Sequence, residues 1–150
     1  MTQAMQSKTT GDVLDTVYKS LKTASDCILN LMPKVKNEDM KSDMTVQLSA
    51  LEAFASRTAK QLAEENCKPE EEGTLSKLSA KWTTAVNTMM DSSASHLAQL
   101  MIEGATARAG ELTRILREAE NQTVSEAALR LLRDVCAFEE KIIKDMKAYL

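Results

Sequence analysis

The chain has 150 residues, of which 43% are hydrophobic, 27% charged and 3% aromatic, and its formal net charge is −3. This length favours one domain with a substantial core. The negative net charge leaves no basic surface for nucleic acid, no stretch approaches the ~18 uncharged apolar residues of a membrane span, and the polar N-terminus lacks the apolar region of a secretory signal. We therefore expect a cytoplasmic protein with neither a membrane nor a nucleic-acid partner.

The three cysteines, Cys27, Cys67 and Cys136, are odd in number and far apart in the sequence. Without a C-x-x-C pair they support neither a zinc knuckle nor a thioredoxin-type motif, and in the cytoplasm they should stay reduced. Helical spacing places Cys27 on the polar side of its predicted helix and Cys136 on an apolar face. None of the three has a histidine close in sequence, so nucleophilic catalysis has little support.

Good helix formers dominate the composition, and the β-branched and aromatic runs typical of strands are missing. The sequence therefore predicts an all-α protein. Residues 1–11 are polar and predict a flexible N-terminal tail, whereas residues 12–150 predict a single helical-bundle domain.

The first two helices are predicted over residues 12–32 and over residues 37–67. Pro33 ends the first, because the residue before a proline avoids helical geometry. Asn37 is a suitable N-cap for the second, and two acids follow it in the first turn, where the helix dipole favours negative charge. Their predicted inward stripes are Leu14, Val17, Leu21, Ala24, Ile28 and Met32, then Met40, Met44, Leu48, Leu51, Ala55, Thr58 and Leu62.

Residues 75–118 leave two interpretations open. Asp91, Ser92 and Ser93 could begin a third helix and leave residues 75–91 as an extra helical segment before it. The apolar pattern nevertheless keeps its phase across them, so one long helix is the alternative. The stripe predicted for the third helix is Val86, Met89, Ser93, Leu97, Leu100, Gly104, Ala107, Glu111 and Ile115.

The last helix is predicted over residues 123–150, because Thr123 and Glu126 have the spacing of a capping box. Four amphipathic helices joined by short turns predict a four-helix up-down bundle of the ferritin-like kind. If residues 75–91 form a separate segment, they could serve as the crossover of such a bundle.

Glu139 is the most unusual residue, because it lies near the middle of the apolar arc of the last helix. A buried carboxylate must be paired, protonated or bound to a metal. The same helical arithmetic puts Arg108 and Glu111 inside the apolar arc of helix 3. The first interpretation is a buried Glu139–Arg108 pair that fixes the helix register, or a helix rotated so that Glu139 reaches water.

A metal site is the second interpretation. A ferritin-like di-iron site takes Glu-x-x-His from each of two helices, and no such motif exists in this chain, so a full di-iron site is rejected. A reduced site remains open, in which Glu111 and Glu139 bind a divalent metal together with His96 or Glu52. Otherwise the sequence predicts no cofactor.

His96, the only histidine, raises a third alternative. Histidine phosphotransfer domains are also helical bundles with one exposed histidine. They usually carry Lys and Gly three and four residues after it, where this chain has Gln99 and Leu100. A boundary histidine bonded to a serine or to Glu103 is the preferred interpretation.

Five short segments can be compared with known families: the region of Tyr18, then residues 33–36 (PKVK), 95–98 (SHLA), 101–106 (MIEGAT) and 138–141 (FEEK). In these segments the chain resembles small ferritin-like four-helix-bundle proteins of Gram-positive bacteria. The resemblance spans most of residues 12–150. It implies a ferritin-like bundle without an assigned activity, and the missing Glu-x-x-His pairs depart from metal-binding ferritins.

These observations favour a non-catalytic structural or protein-interaction module over an enzyme. The apolar stripes could bind a protein partner or form a homodimer, although in a short chain four such stripes are first of all a core. A divergent ferritin-like protein that binds a metal or small ligand is the runner-up, and histidine phosphotransfer is the third hypothesis.

Overall fold

A computed structural model describes residues 9–68, 84 and 86–150. Within these residues there are four long helices and no strand, so the predicted all-α four-helix bundle is confirmed. The helices are α1 (Thr10–Leu31), α2 (Glu38–Glu64), α3 (Ala94–Ala119) and α4 (Glu126–Met146). Short 3₁₀ turns at Met32–Lys34 and Lys147–Tyr149 follow α1 and α4. None of the helices in the described ranges is long and apolar enough to cross a membrane.

Each helix begins at a side chain that accepts a hydrogen bond from its first turn. These N-caps are Thr9, Asn37, Ser93 and Ser125. Such a cap satisfies a backbone N–H that otherwise has no partner in the helix. The predicted cap at Asn37 is confirmed, and the cap at Ser93 decides that α3 begins there.

Two predicted boundaries are wrong by a few residues. The last helix begins at Glu126, because the Ser125 hydroxyl accepts from the Ala128 N–H at 3.1 Å and Thr123 is left outside. The first helix begins at Thr10, inside the predicted tail, because Thr9 and Asp12 form a capping box. Of the predicted segment 75–91, residue 84 and residues 86–91 are described, whereas residues 75–83 and 85, and residues 1–8 of the tail, lie outside the described residues.

Three helix termini meet at one end of the bundle. The backbone N–H of Ser125, at the start of α4, donates to the Thr10 hydroxyl at the start of α1, at 3.0 Å. Just after α2 ends, the Cys67 Sγ lies only 2.8 Å from where a Cβ on Gly11 would stand. Therefore α1 and α4 both start at this end, and α2 finishes there.

The opposite end joins the other termini. The Tyr149 hydroxyl, in the turn after α4, donates to the Asp43 carboxylate near the start of α2. The same turn packs against α3. Since Glu120, the C-cap of α3, pairs with Arg133 in the first half of α4, those two helices are antiparallel. It follows that α2 and α3 run in the same direction, and that α2 ends and α3 begins at opposite ends of the bundle. The alternating up-down order that the sequence predicted is therefore not kept between these two helices.

The core lies along the common axis and takes apolar side chains from all four helices. The most extensive contacts are within the pairs α1–α2 and α3–α4, while α1 also packs on α3 and α2 on α4. The largest fully buried side chains are Leu14, Leu21, Ile28, Leu31, Met40, Met44, Leu51, Leu62, Leu97, Leu112, Ile115 and Leu131. Most positions of the stripes predicted for the first two helices are therefore inside.

The stripe predicted for the third helix is out of phase in its middle part. The buried positions of α3 are Leu97, Ala98, Met101, Ala105, Ala109, Leu112, Ile115 and Ala119. Ala107 and Glu111 are exposed and Gly104 is half-buried. The helix is rotated by about one residue, or 100°, from the prediction. The physical reason is that burial of Met101 and Leu112 removes more apolar area from water than burial of small residues would.

Gln47 is a polar residue inside the core. It lies on α2 and is 2% exposed, and neither its Oε1 nor its Nε2 has a hydrogen-bond partner among the described residues. A buried amide without partners loses its hydration without compensation. The site therefore costs stability in this fold.

Replacing Gln47 by methionine, which has a similar shape and no amide, should raise the free energy of unfolding by about 1–3 kcal/mol. Urea denaturation followed by circular dichroism measures it. Gln61→Met, at a half-buried position of the same helix, is the control and should change stability little. A loss of stability in the Gln47 variant would mean that the amide is bonded after all.

Candidate functional site

Arg108 of α3 and Glu139 of α4 form a bidentate ion pair inside the bundle. The Arg108 Nε donates to Glu139 Oε2 at 2.7 Å, and its Nη2 donates to Oε1 at 3.1 Å. The Glu139 side chain is 0% exposed and that of Arg108 is 11% exposed. Glu139 is the only charged residue classed as buried in the part of the chain that the structure describes. The predicted Glu139–Arg108 pair is thus present, with both carboxylate oxygens bound.

The local sequence explains how the pair can form. Glu139 follows Val135 by one turn and precedes Ile142, and both neighbours are fully buried, so the carboxylate must point inward. A long side chain on a helix leans toward the N-terminus, and Arg108 accordingly reaches back over Gly104. A Cβ at Gly104 would stand 3.1 Å from the Arg108 Nη1. The glycine therefore leaves the space that the guanidinium occupies.

Cys27 of α1 is the third member of the cluster. The prediction that Cys27 lies on the polar side of its helix is wrong. The side chain is buried, and its Sγ lies 3.9 Å from the Arg108 Nη1. The physical reason is that this part of α1 packs against α3, which widens its buried face. Burial raises the pKa of the Cys27 thiol to about 11, although Arg108 opposes the shift. A thiol with so high a pKa is a poor nucleophile at neutral pH.

Two opposing effects act on the charge of Glu139. Burial raises the pKa of its carboxyl above the ordinary value, because the charged form loses its hydration. The Arg108 guanidinium acts in the opposite direction, through its charge and its hydrogen bonds. Arg108 is therefore what makes an ionised carboxylate tolerable at this depth.

Glu111 does not take part in the cluster, and its predicted place in the apolar arc is wrong. It is exposed and pairs with Arg114 of the same helix at 2.7 Å, while Arg114 also holds Glu118 at 2.7 Å. Glu111 lies about 60° around the helix from Arg108, on the side away from the buried arc of Met101 and Leu112, so the orientation that directs Arg108 inward leaves Glu111 exposed.

His96 lies in the first turn of α3, where its backbone N–H donates to the Ser93 hydroxyl at 3.2 Å. Its side chain is half-buried. Within the described residues, no group of three or more His, Cys, Asp and Glu side chains could hold a metal ion. The structure thus does not bring Glu111, Glu139 and His96 together as a set of ligands, and the acceptor positions of Glu139 are directed at Arg108.

Sequence reasoning missed the contacts between α2 and α4. Arg57 pairs with Asp134 at 2.9 Å, and the rings of Phe54 and Phe138 lie 5.5 Å apart. A single sequence offers no signal for these pairs, because they depend on which helices are neighbours. They fix a side of α4 that lies about 100–140° around the helix from Glu139.

Comparison with known proteins gave no match to a family model, to a curated protein or to a solved structure.

Removing Arg108 should be far more damaging than removing both partners. Arg108→Met leaves a buried carboxylate without a counter-charge, and we expect a loss of roughly 3–5 kcal/mol in the free energy of unfolding. The double variant Arg108→Met/Glu139→Leu should recover most of that loss, because it leaves no buried charge. Chemical denaturation of the parent, both single variants and the double variant measures the coupling.

The exposed pair Arg57–Asp134 is the matched control, since it also joins two helices by an arginine and a carboxylate. Arg57→Met should cost at most about 1 kcal/mol, because water screens an exposed pair. Equal losses in the Arg57 and Arg108 variants would contradict the assignment of Arg108–Glu139 as a buried pair.

The free energy of unfolding of the Arg108→Met variant should also depend on pH. Without Arg108, burial raises the pKa of Glu139 further above its ordinary value. A carboxyl group whose pKa is higher in the folded state than in the unfolded state contributes stability that is fully present below the unfolded pKa. That stability is lost as the pH rises through the folded pKa. Unfolding at a series of pH values from about 8 to about 5 should therefore show the variant gaining stability on acidification relative to Arg108→Met/Glu139→Leu. If the difference in unfolding free energy between Arg108→Met and the double variant stayed constant over this pH range, Glu139 would have reached water in the single variant.

Proposed function

We propose that this protein is a cytosolic, non-catalytic helical bundle that serves as a structural or protein-interaction module. The observation that carries the proposal is the bidentate Arg108–Glu139 pair. The one fully buried carboxylate of the described chain directs both its oxygens at a guanidinium. It is thereby committed to holding α3 against α4, and neither oxygen faces an open site.

The chemistry of the cluster supports a structural role over a catalytic one. A general acid or base must reach substrate, and Glu139 is 0% exposed. A nucleophilic cysteine needs a lowered pKa, whereas the pKa of Cys27 is raised to about 11 by burial. A buried ion pair of this kind can select one helix register over others, which is its best-attested use.

A divergent ferritin-like protein that binds a metal or small ligand is the second candidate. One observation favours it: α2 and α3 run in the same direction, and a bundle with a single long crossover between such helices has ferritin-like connectivity. The positions of the predicted metal ligands count against this candidate. Glu111 is exposed and paired with Arg114, and Glu139 is bound to Arg108.

Histidine phosphotransfer through His96 receives less support. A phosphorylatable histidine must be accessible on a helix face, and His96 is half-buried in the first turn of α3. Asp91, whose pKa is lowered by hydrogen bonds from Ser93, contributes a negative charge near the imidazole. A second negative group next to this carboxylate would be repelled.

The metal content of anaerobically purified protein tests the proposal directly. After incubation with Fe(II), Mn(II) or Zn(II) and removal of the excess, mass spectrometry should find no stoichiometric metal, because the described residues offer no converging set of ligands. Glu139→Gln is the companion variant and should give the same result. Stoichiometric metal in the parent that disappears in the variant would overturn the structural proposal in favour of a reduced ferritin-like site.

A further inference from the structure

The outer surface of α3 and α4 contains an open groove of about 480 Å³. On α3 it is lined by the short side chains of Thr106, Ala109, Gly110 and Thr113 and by the longer charged side chains of Arg114, Arg117 and Glu118, and on α4 by Glu140. Around Gly110 the space is open, because, apart from the adjacent backbone of α3 itself, no atom of the described residues lies within 4 Å of where a Cβ would stand. A second helix could therefore approach α3 closely at this point.

The charges on this face of α3 are arranged about Gly110. Glu103 and Arg117 lie seven residues before and after it, each about 20° from its direction around the helix. Both side chains are exposed. Glu103 accepts only a 3.3 Å hydrogen bond from Gln99, and among the described residues no carboxylate lies within ion-pair distance of Arg117. The face thus has an unpaired acid on one side of a glycine and an unpaired base on the other.

We propose that this face binds a second copy of the chain, with two antiparallel α3 helices crossing at Gly110. In a twofold interface each surface meets itself, so residues equally far before and after Gly110 face each other. Glu103 of each copy then faces Arg117 of the other copy. Thr106 faces Arg114, and Ala107 faces Thr113, so no two like charges meet along the face. This inference rests on the proposed role as an interaction module and names its partner.

The expected dimer is weak. A stable protein interface buries about 800 Å² on each partner, which is more than one helix face supplies. We therefore expect association that depends on protein concentration and weakens with salt, because the two Glu103–Arg117 pairs lie at the surface and are screened by ions.

Complementary charge reversal tests the geometry. In a dimer of the Glu103→Arg variant, arginine faces arginine at both places where position 103 of one copy meets position 117 of the other. In a dimer of the Arg117→Glu variant, glutamate faces glutamate at the same two places. Each variant alone should be monomeric, whereas an equimolar mixture should form a heterodimer, because every facing pair is then opposite in charge. Sedimentation velocity at low ionic strength, over a concentration series that reaches about 1 mM, measures the association. Circular dichroism verifies that each variant is folded.

The controls are Glu52→Arg and Arg130→Glu, which make the same charge changes at exposed positions of α2 and α4. Both should dimerise like the parent. A parent that stays monomeric throughout the series would overturn the proposal, and so would a dimer that survives both reversals. Neither result bears on the structural role of Arg108–Glu139, which the metal analysis and the denaturation series test separately.

Discussion

The arrangement of α3 and α4 depends on the need to neutralise one carboxylate at full burial. Glu139 can be ionised there only because Arg108 donates two hydrogen bonds to it. Arg108 in turn needs the space above Gly104, where a Cβ would stand 3.1 Å from its Nη1. Cys27 of α1 lies against the same guanidinium. One ion pair thereby links the positions of three helices.

The pair specifies the packing more than it stabilises it. A buried ion pair loses hydration energy on both partners, and well-packed apolar residues in its place are often at least as stable. An alternative rotation of α3 by one residue would carry Arg108 about 100° away from α4 and leave Glu139 alone in the core. That alternative is strongly disfavoured, so the pair selects the observed rotation, in which Glu111 lies outside.

The sequence was sufficient for the elements and for the central pair, and insufficient for the rotation of α3. Apolar spacing gave the four helices, and the position of Glu139 between Val135 and Ile142 gave a buried acid. In the middle of α3, however, small residues occupy both the inner and the outer face, so the pattern there has little contrast. Spacing placed Glu111 and Arg108 equally well near Glu139, and they are distinguished by the positive charge of Arg108 and by the packing of Met101 and Leu112. The packing of Cys27 against α3 likewise depends on a neighbouring helix, which spacing cannot show.

The polar contacts of α2 differ in kind from those of α3. Arg57–Asp134, which joins α2 to α4, is more than one-third exposed on both side chains, so water screens it. Of the two buried polar side chains of α2, Thr58 donates to the Phe54 carbonyl of its own helix, and Gln47 has no hydrogen-bond partner among the described residues. Apart from the hydrogen bond of Tyr149 to Asp43 at one end, the register of α2 therefore depends on apolar packing, including the contact of Phe54 with Phe138. In contrast, α3 and α4 have a buried charge pair in addition to apolar packing. Because that pair fixes their relative rotation, the outer face of α3 around Gly110 is held in one orientation, which is what a surface that binds a partner requires.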